Sequence, residues 1–339
     1  MLLGTTFTTV TAQPPDHSWC VSVWYPSSDD PGGADSITAN LDLIDVVNPF
    51  WYTPLADGTL SAQPGAEDTE QLAAWHEAGL VIMPSIFSSF WTMLNSEESI
   101  ALHVAQIIDL VERMDYDGID IDYEGFALST RDSFSRFIEL LGENLHEHDR
   151  LLSIAVHAKT DDAGAWEGAA AQDWTSIAPI VDIFTIMTYD YTSRNEPPGP
   201  ISPSQWTLDV LAYAESIVDL SKVRMGLHFY AYSWLGGRPP ATTTNWTAAQ
   251  RLIDSFNLVP VREGDEARID LDVRGLPDQT IYFADAEFIA RRLDMVYERF
   301  PALGGVAIWG LGPEDPENWE LLRETRPADC QIASQRPSV

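Results

Sequence analysis

Lysine is nearly missing from this chain. Lys159 and Lys222 are the only two in 339 residues, and 19 Lys and Arg face 52 Asp and Glu for a formal net charge of −33. Such a chain repels a phosphate polymer, which excludes nucleic acid as a partner. Long apolar runs are also missing: no stretch approaches the ~20 residues needed to cross a bilayer, so no membrane partner is expected. No Cys/His spacing suggests zinc, and no Gly-rich phosphate loop follows the first strand candidate. Neither a metal nor a cofactor is expected. Residues 1–19 show no basic segment followed by an apolar core, so no signal peptide is visible. Two readings of the acidity stand side by side. One is tolerance of high salt, which screens a dense negative surface; the other is an extracellular protein kept soluble by charge. Cysteine is scarce too, with Cys20 and Cys330 near opposite ends of the chain. They are either two free thiols or, if the fold brings the ends together, one disulfide.

What is present is a large apolar fraction, 45%, enough for a sizeable core. Short β-rich runs alternate with runs of helical period. Strands are expected near 20–25, 46–52, 80–87, 118–123, 151–157, 181–188, 223–230 and 305–309. Clear helical patterns cover 69–78, 100–114, 131–147, 204–220 and 284–300, with weaker ones after Asp35, Gln172 and Pro316. Eight βα units in a chain of this length predict an α/β fold, a (β/α)8 TIM barrel, with a doubly wound open sheet as the alternative. The predicted organisation is an N-terminal extension (1–19), a barrel (20–326) and a C-terminal tail (327–339). One long gap after strand seven, about 235–282, reads as a small insertion above the barrel mouth before helix seven, because an unstructured loop of that length would be unusual. In a barrel, the first strand starts and the last helix ends at the bottom face. Cys20 and Cys330 could then meet, and a disulfide between them would be worth on the order of 4–5 kcal/mol.

The run Asp117-Gly-Ile-Asp-Ile-Asp-Tyr-Glu124 carries the chemistry. Asp120, Asp122 and Glu124 are spaced by two, so on a strand they share one face. In a barrel they form a column rising toward the C-terminal mouth, where barrel active sites lie. Asp117 has the other parity and stays outside. Three like charges buried together force at least one to keep a proton, and the uppermost group, Glu124, is then raised toward the range a general acid needs. An exposed acidic edge strand and a divalent-cation site are the competing readings. No second ligand cluster supports the latter.

The same run resembles the DGxDxDxE signature of glycoside hydrolase family 18. Met187-Thr188-Tyr189-Asp190 resembles that family's M-x-Y-D motif, and Gly305-Val306-Ala307-Ile308-Trp309 its eighth strand. The resemblance spans roughly residues 20–325. Within the family, Asn48-Pro49-Phe50-Trp51-Tyr52, Asp57-Gly58-Thr59-Leu60, the run from Gly226 to Trp234 and Tyr282-Phe283-Ala284-Asp285-Ala286 are similar to the branch of spore-cortex and peptidoglycan glucosaminidases. A LysM-type wall-binding module is absent from these residues, and Phe87-Ser88-Ser89-Phe90-Trp91 replaces the polar residues usual after strand three.

The resemblance implies a retaining hydrolase of β-1,4-linked N-acetylglucosamine glycans, of chitin or peptidoglycan type, in which the substrate's own acetamido oxygen attacks and an oxazolinium ion forms. Glu124 would be the proton donor, Asp122 would hold the acetamido N–H, Asp120 would exchange a proton with Asp122, and Tyr189 would donate to the acetamido oxygen. Asp190 would lie beside Tyr189, and Trp309 would floor the sugar site. Met187, Trp24, Trp234 and Tyr230 complete the expected substrate-binding set. His157 and His228 read as core histidines. The expected partner is an N-acetylglucosamine-containing polysaccharide or oligosaccharide met by a monomer, outside the cell or at the cell wall. The alternatives are an endo-β-N-acetylglucosaminidase acting on N-glycans and a non-catalytic, lectin-like barrel.

Overall fold

The computed structural model describes residues 19–26, 31–327 and 329–332. Most of the expected terminal extension and tail therefore lies outside the described residues. Eight parallel strands close on themselves: Cys20–Tyr25, Val46–Pro54, Ser85–Ser88, Gly118–Tyr123, Leu151–His157, Ile183–Met187, Val223–His228 and Gly305–Trp309. Each pairs with its neighbours in that order, and the last pairs with the first. The (β/α)8 expectation is met. Both faces of the strands are buried, one by the barrel interior and one by the helices, so apolar residues are not confined to alternate positions; Cys20–Tyr25 and Gly118–Tyr123 are buried along their whole length, the latter with Asp120 and Asp122 on its inner face.

The third strand departs from the reading of one continuous run over 80–87. It is broken into Val81–Ile82 and Ser85–Ser88 around Pro84, which has no N–H to give to a ladder. The seventh ends at His228 rather than Tyr230, because Tyr230 already starts a second sheet.

That second sheet is the expected insertion between strand seven and helix seven, starting a few residues earlier. Residues 230–283 form five antiparallel strands in the order Thr242–Asn245, Tyr230–Leu235, Gln279–Phe283, Glu266–Leu271, Val261–Glu263, with the helix Trp246–Phe256 between two of them. A buried polar network fastens this unit to the barrel. Glu266 is fully buried and accepts the Ile201 and Ser202 N–H groups, both at 3.0 Å. Arg292, also fully buried, pairs with Asp265 at 2.6 Å and donates to the Ser202 and Thr207 hydroxyls. Removing either member of such a pair would leave a buried charge unpaired, which costs several kcal/mol.

At the opposite end of the barrel Cys20 and Cys330 form a disulfide, with Cα atoms 4.7 Å apart across 310 positions of sequence. No helix among the described residues is long and apolar enough to cross a membrane.

Candidate active site

The carboxylate column stands as parity requires. Asp120 lies level with Ser85 on the third strand and Ser153 on the fifth. It accepts from both hydroxyls at 2.6 Å and from the Trp24 indole N–H at 3.1 Å. Burial still outweighs these three bonds and raises its pKa. One level higher, Asp122 is raised well above the usual carboxylate range, first by burial and then by the Glu124 and Asp120 charges. Its Oδ1 is buried without a partner among the described residues. Asp122 and Glu124 are hydrogen-bonded to each other. Glu124 is itself raised, by burial and by the nearby Asp190 charge. Asp117, outside the column, accepts the Ile82 N–H at 2.7 Å and faces the His76 ring at 3.2 Å.

The column opens into a cavity of about 680 Å³ lined by Trp24, Phe50, Asp122, Glu124, Met187, Tyr189, Asp190 and Trp309 among others. The Tyr189 phenol is raised well above 10 by burial and by the surrounding carboxylates, so it remains a neutral donor. Its ring is seated by a glycine: a Cβ on Gly226 would lie 2.8 Å from Tyr189 Cε1 and 2.7 Å from the Ile186 carbonyl. Trp309 packs against Phe50 with centroids 5.1 Å apart and meets Trp24 edge to face at 6.3 Å.

Two residues expected to touch substrate are not among the cavity-lining side chains. Trp234 is fully buried in the second sheet and gives its indole N–H to the Glu196 carbonyl at 2.8 Å. Tyr230 stands behind Asp190. The Tyr230 and Tyr232 hydroxyls both donate to Asp190 Oδ1, at 2.5 and 2.7 Å. The second sheet thus holds Asp190, whose backbone is left-handed at φ 58°.

The cavity also recruits residues that the motifs did not point to: Phe87, His157, Trp166, Tyr191 and Trp206. His157 is not a satisfied core histidine. Its Nε2 has no partner among the described residues, burial pulls its pKa down to about 4, and its ring lies against half-exposed Trp166 at 4.6 Å. Parity on the fifth strand was the available signal, since Ser153, Ala155 and His157 share the inner face. No Lys or Arg is among the lining residues. The chemistry available is proton donation from Glu124 beside neutral donors and aromatic faces.

The model for glycosyl hydrolases family 18 matches residues 27–314. The chain belongs to glycosyl hydrolases family 18. Its relatives include the cortical fragment-lytic enzyme of Bacillus anthracis, 28% identical over 229 residues, which covers 65% of this chain and 52% of that enzyme. The chain spans about half the length of the cortical fragment-lytic enzymes it matches. Similar folds are seen in a chitinase from Chromobacterium violaceum (TM-score 0.83, 20% identity, 91% of this chain and 99% of that one). The spore cortex-lytic enzyme SleL of Bacillus cereus is alike as well (TM-score 0.82, 23% identity, 91% and 74%).

Proposed function

We propose that this protein hydrolyses β-1,4-linked N-acetylglucosamine glycans, of chitin or peptidoglycan type, with retention and through an oxazolinium ion formed by the substrate. The observation that carries this reading is the column of Asp120, Asp122 and Glu124, in which burial and like charge raise Asp122 well above the usual carboxylate range beside Glu124, and the neutral Tyr189 phenol lines the same cavity. A protonated Asp122 is a poor nucleophile, so the attacking oxygen is left to the substrate's acetamido group. Asp122 then orients that group and, once its proton has passed to Asp120, offsets positive charge developing on the ring; Tyr189 donates to the acetamido oxygen, and Glu124 first protonates the leaving oxygen and then activates water. Asp120 takes part by exchanging a proton with Asp122. Trp309, Trp24 and Met187 wall the sugar site, and Asp190 is fixed beside it by Tyr230 and Tyr232.

The Cys20–Cys330 disulfide fits an oxidising compartment. Together with the relatives named for cortex lysis, it supports action outside the cell or at the cell wall. A parallel product assay on chitin oligomers, peptidoglycan and a high-mannose glycopeptide tests the substrate class. The reading expects cleavage of one or both of the first two; cleavage of the glycopeptide alone would replace it with the endo-acting N-glycan alternative.

A further inference from the structure

The fourth and fifth strands run in register from Gly118 and Leu151 up to Ile121 and Ile154, and then part. The ladder begins with the Leu151 N–H donating to the Asp117 carbonyl at 2.9 Å. Parallel pairing repeats every two residues, so the same series would next-but-two times bring the His157 N–H to the Tyr123 carbonyl. It does not. The side-chain amide of Gln172 stands in that place. Its Oε1 accepts the His157 N–H at 2.7 Å, and its Nε2 donates to the Tyr123 carbonyl at 3.2 Å. Gln172 is fully buried, and its own carbonyl is held by the Lys159 ammonium at 2.7 Å.

The Tyr123 carbonyl and the Glu124 N–H belong to one rigid peptide plane. The Glu124 N–H donates to the Ser88 carbonyl of the third strand at 2.8 Å. The plane that carries the proton donor is thus gripped from one side by the ordinary ladder and from the other by Gln172.

We propose that Gln172 is a positioning residue for catalysis, an amide wedge that replaces one ladder bond, spreads the fourth and fifth strands at the level of Glu124 and fixes the direction of its carboxyl. The inference rests on Glu124 being the proton donor. Without the wedge, His157 and Tyr123 can bond directly, and Glu124 shifts with its peptide plane relative to Asp122 and the substrate. A misplacement of about 1 Å is enough to cost on the order of 10²-fold in rate.

The test compares Gln172→Met, which keeps the volume but neither bond, with Gln172→Asn, which keeps an amide too short to span both strands. Turnover of a fluorogenic N,N′-diacetylchitobioside is normalised to folded sites by circular dichroism, KM and kcat are separated, and the basic limb of the kcat–pH profile is recorded. Expected are a loss of about 10²-fold in kcat for Gln172→Met, a smaller loss for Gln172→Asn, KM nearly unchanged, and a displaced basic limb. Folded variants with wild-type kcat and an unmoved limb would overturn the proposal. So would failure of both to fold, which assigns Gln172 to structure alone. Glu124→Gln is measured alongside. If it keeps turnover, the proton-donor reading fails; if it is dead while the Gln172 variants are normal, only the wedge fails.

Discussion

The two ends of the barrel treat carboxylates in opposite ways. At the bottom, Asp45, Asp117 and Asp182 stand just before the second, fourth and sixth strands. They accept the N–H groups of Val21, Ile82 and Leu152 on the preceding strands at 2.7–2.8 Å. Each also meets a basic side chain: Arg326 at 3.0 Å, His76 at 3.2 Å and His146 at 2.9 Å. At the top, Asp122 and Glu124 face each other and Asp190, with no Lys or Arg among the residues lining their cavity. A carboxylate that fastens strands is given a donor and a basic partner. The upper pair is left against its own kind, and the repulsion together with burial raises both carboxyl groups above the usual range. Asp120 lies between, satisfied by three neutral donors but still raised by burial.

Substitutions at the top should therefore affect turnover, and those at the bottom stability. The largest effect is expected for Glu124→Gln, a loss of about 10⁴-fold in kcat with glycan binding retained, read by turnover and by calorimetric titration with a chitin oligomer. Next is removal of the Cys20–Cys330 bridge by paired Ser substitutions. It should cost about 5 kcal/mol in denaturant unfolding and leave kcat alone under conditions where the protein is folded.

Asp122→Asn should lower kcat about 10²-fold and also change how stability responds to pH. Folding raises the Asp122 pKa well above 3.8, so the folded chain holds a proton that the unfolded chain releases. The stability this contributes is full below about pH 3.8 and is lost as pH rises through the folded value. Unfolding curves of the wild type should show that decline, and those of Asp122→Asn a flatter one. Smallest is Asp182→Ala at the bottom, about 1 kcal/mol of stability from the lost bond to the Leu152 N–H, with unchanged kcat. Bottom substitutions that damaged kcat in folded protein would break the comparison.

Much of this arrangement is legible in the sequence. A spacing of two put Asp120, Asp122 and Glu124 on one face, and the position of the two cysteines relative to the first strand and last helix allowed the bridge. The second sheet was less visible, because Tyr230–Leu235 continues the apolar character of the seventh strand with only Phe229 between them, and Thr242–Asn245 has no apolar alternation. Trp234 and Tyr230 look like ligand residues in the sequence for that reason, since aromatics at the end of a barrel strand face the mouth, whereas here they belong to a second sheet whose aromatic face packs with Ile201, Tyr189 and Trp309. His157 reads as core in the sequence because a lone histidine in an apolar run is ordinarily so. Parity places it on the inner face with Ser153 and Ala155, whereas the contact of the Gln172 amide with both strands, distant from the motif, is unmarked by any pattern.

The central claim is that the nucleophile belongs to the substrate. It is tested most directly by comparing hydrolysis of two aryl disaccharides that differ only at C2 of the sugar to be cleaved, one bearing the acetamido group and one a hydroxyl. The account predicts turnover of the acetamido compound alone, with retention at the anomeric carbon. Comparable turnover of the hydroxyl compound would contradict it, because the protein would then have to supply the attacking group.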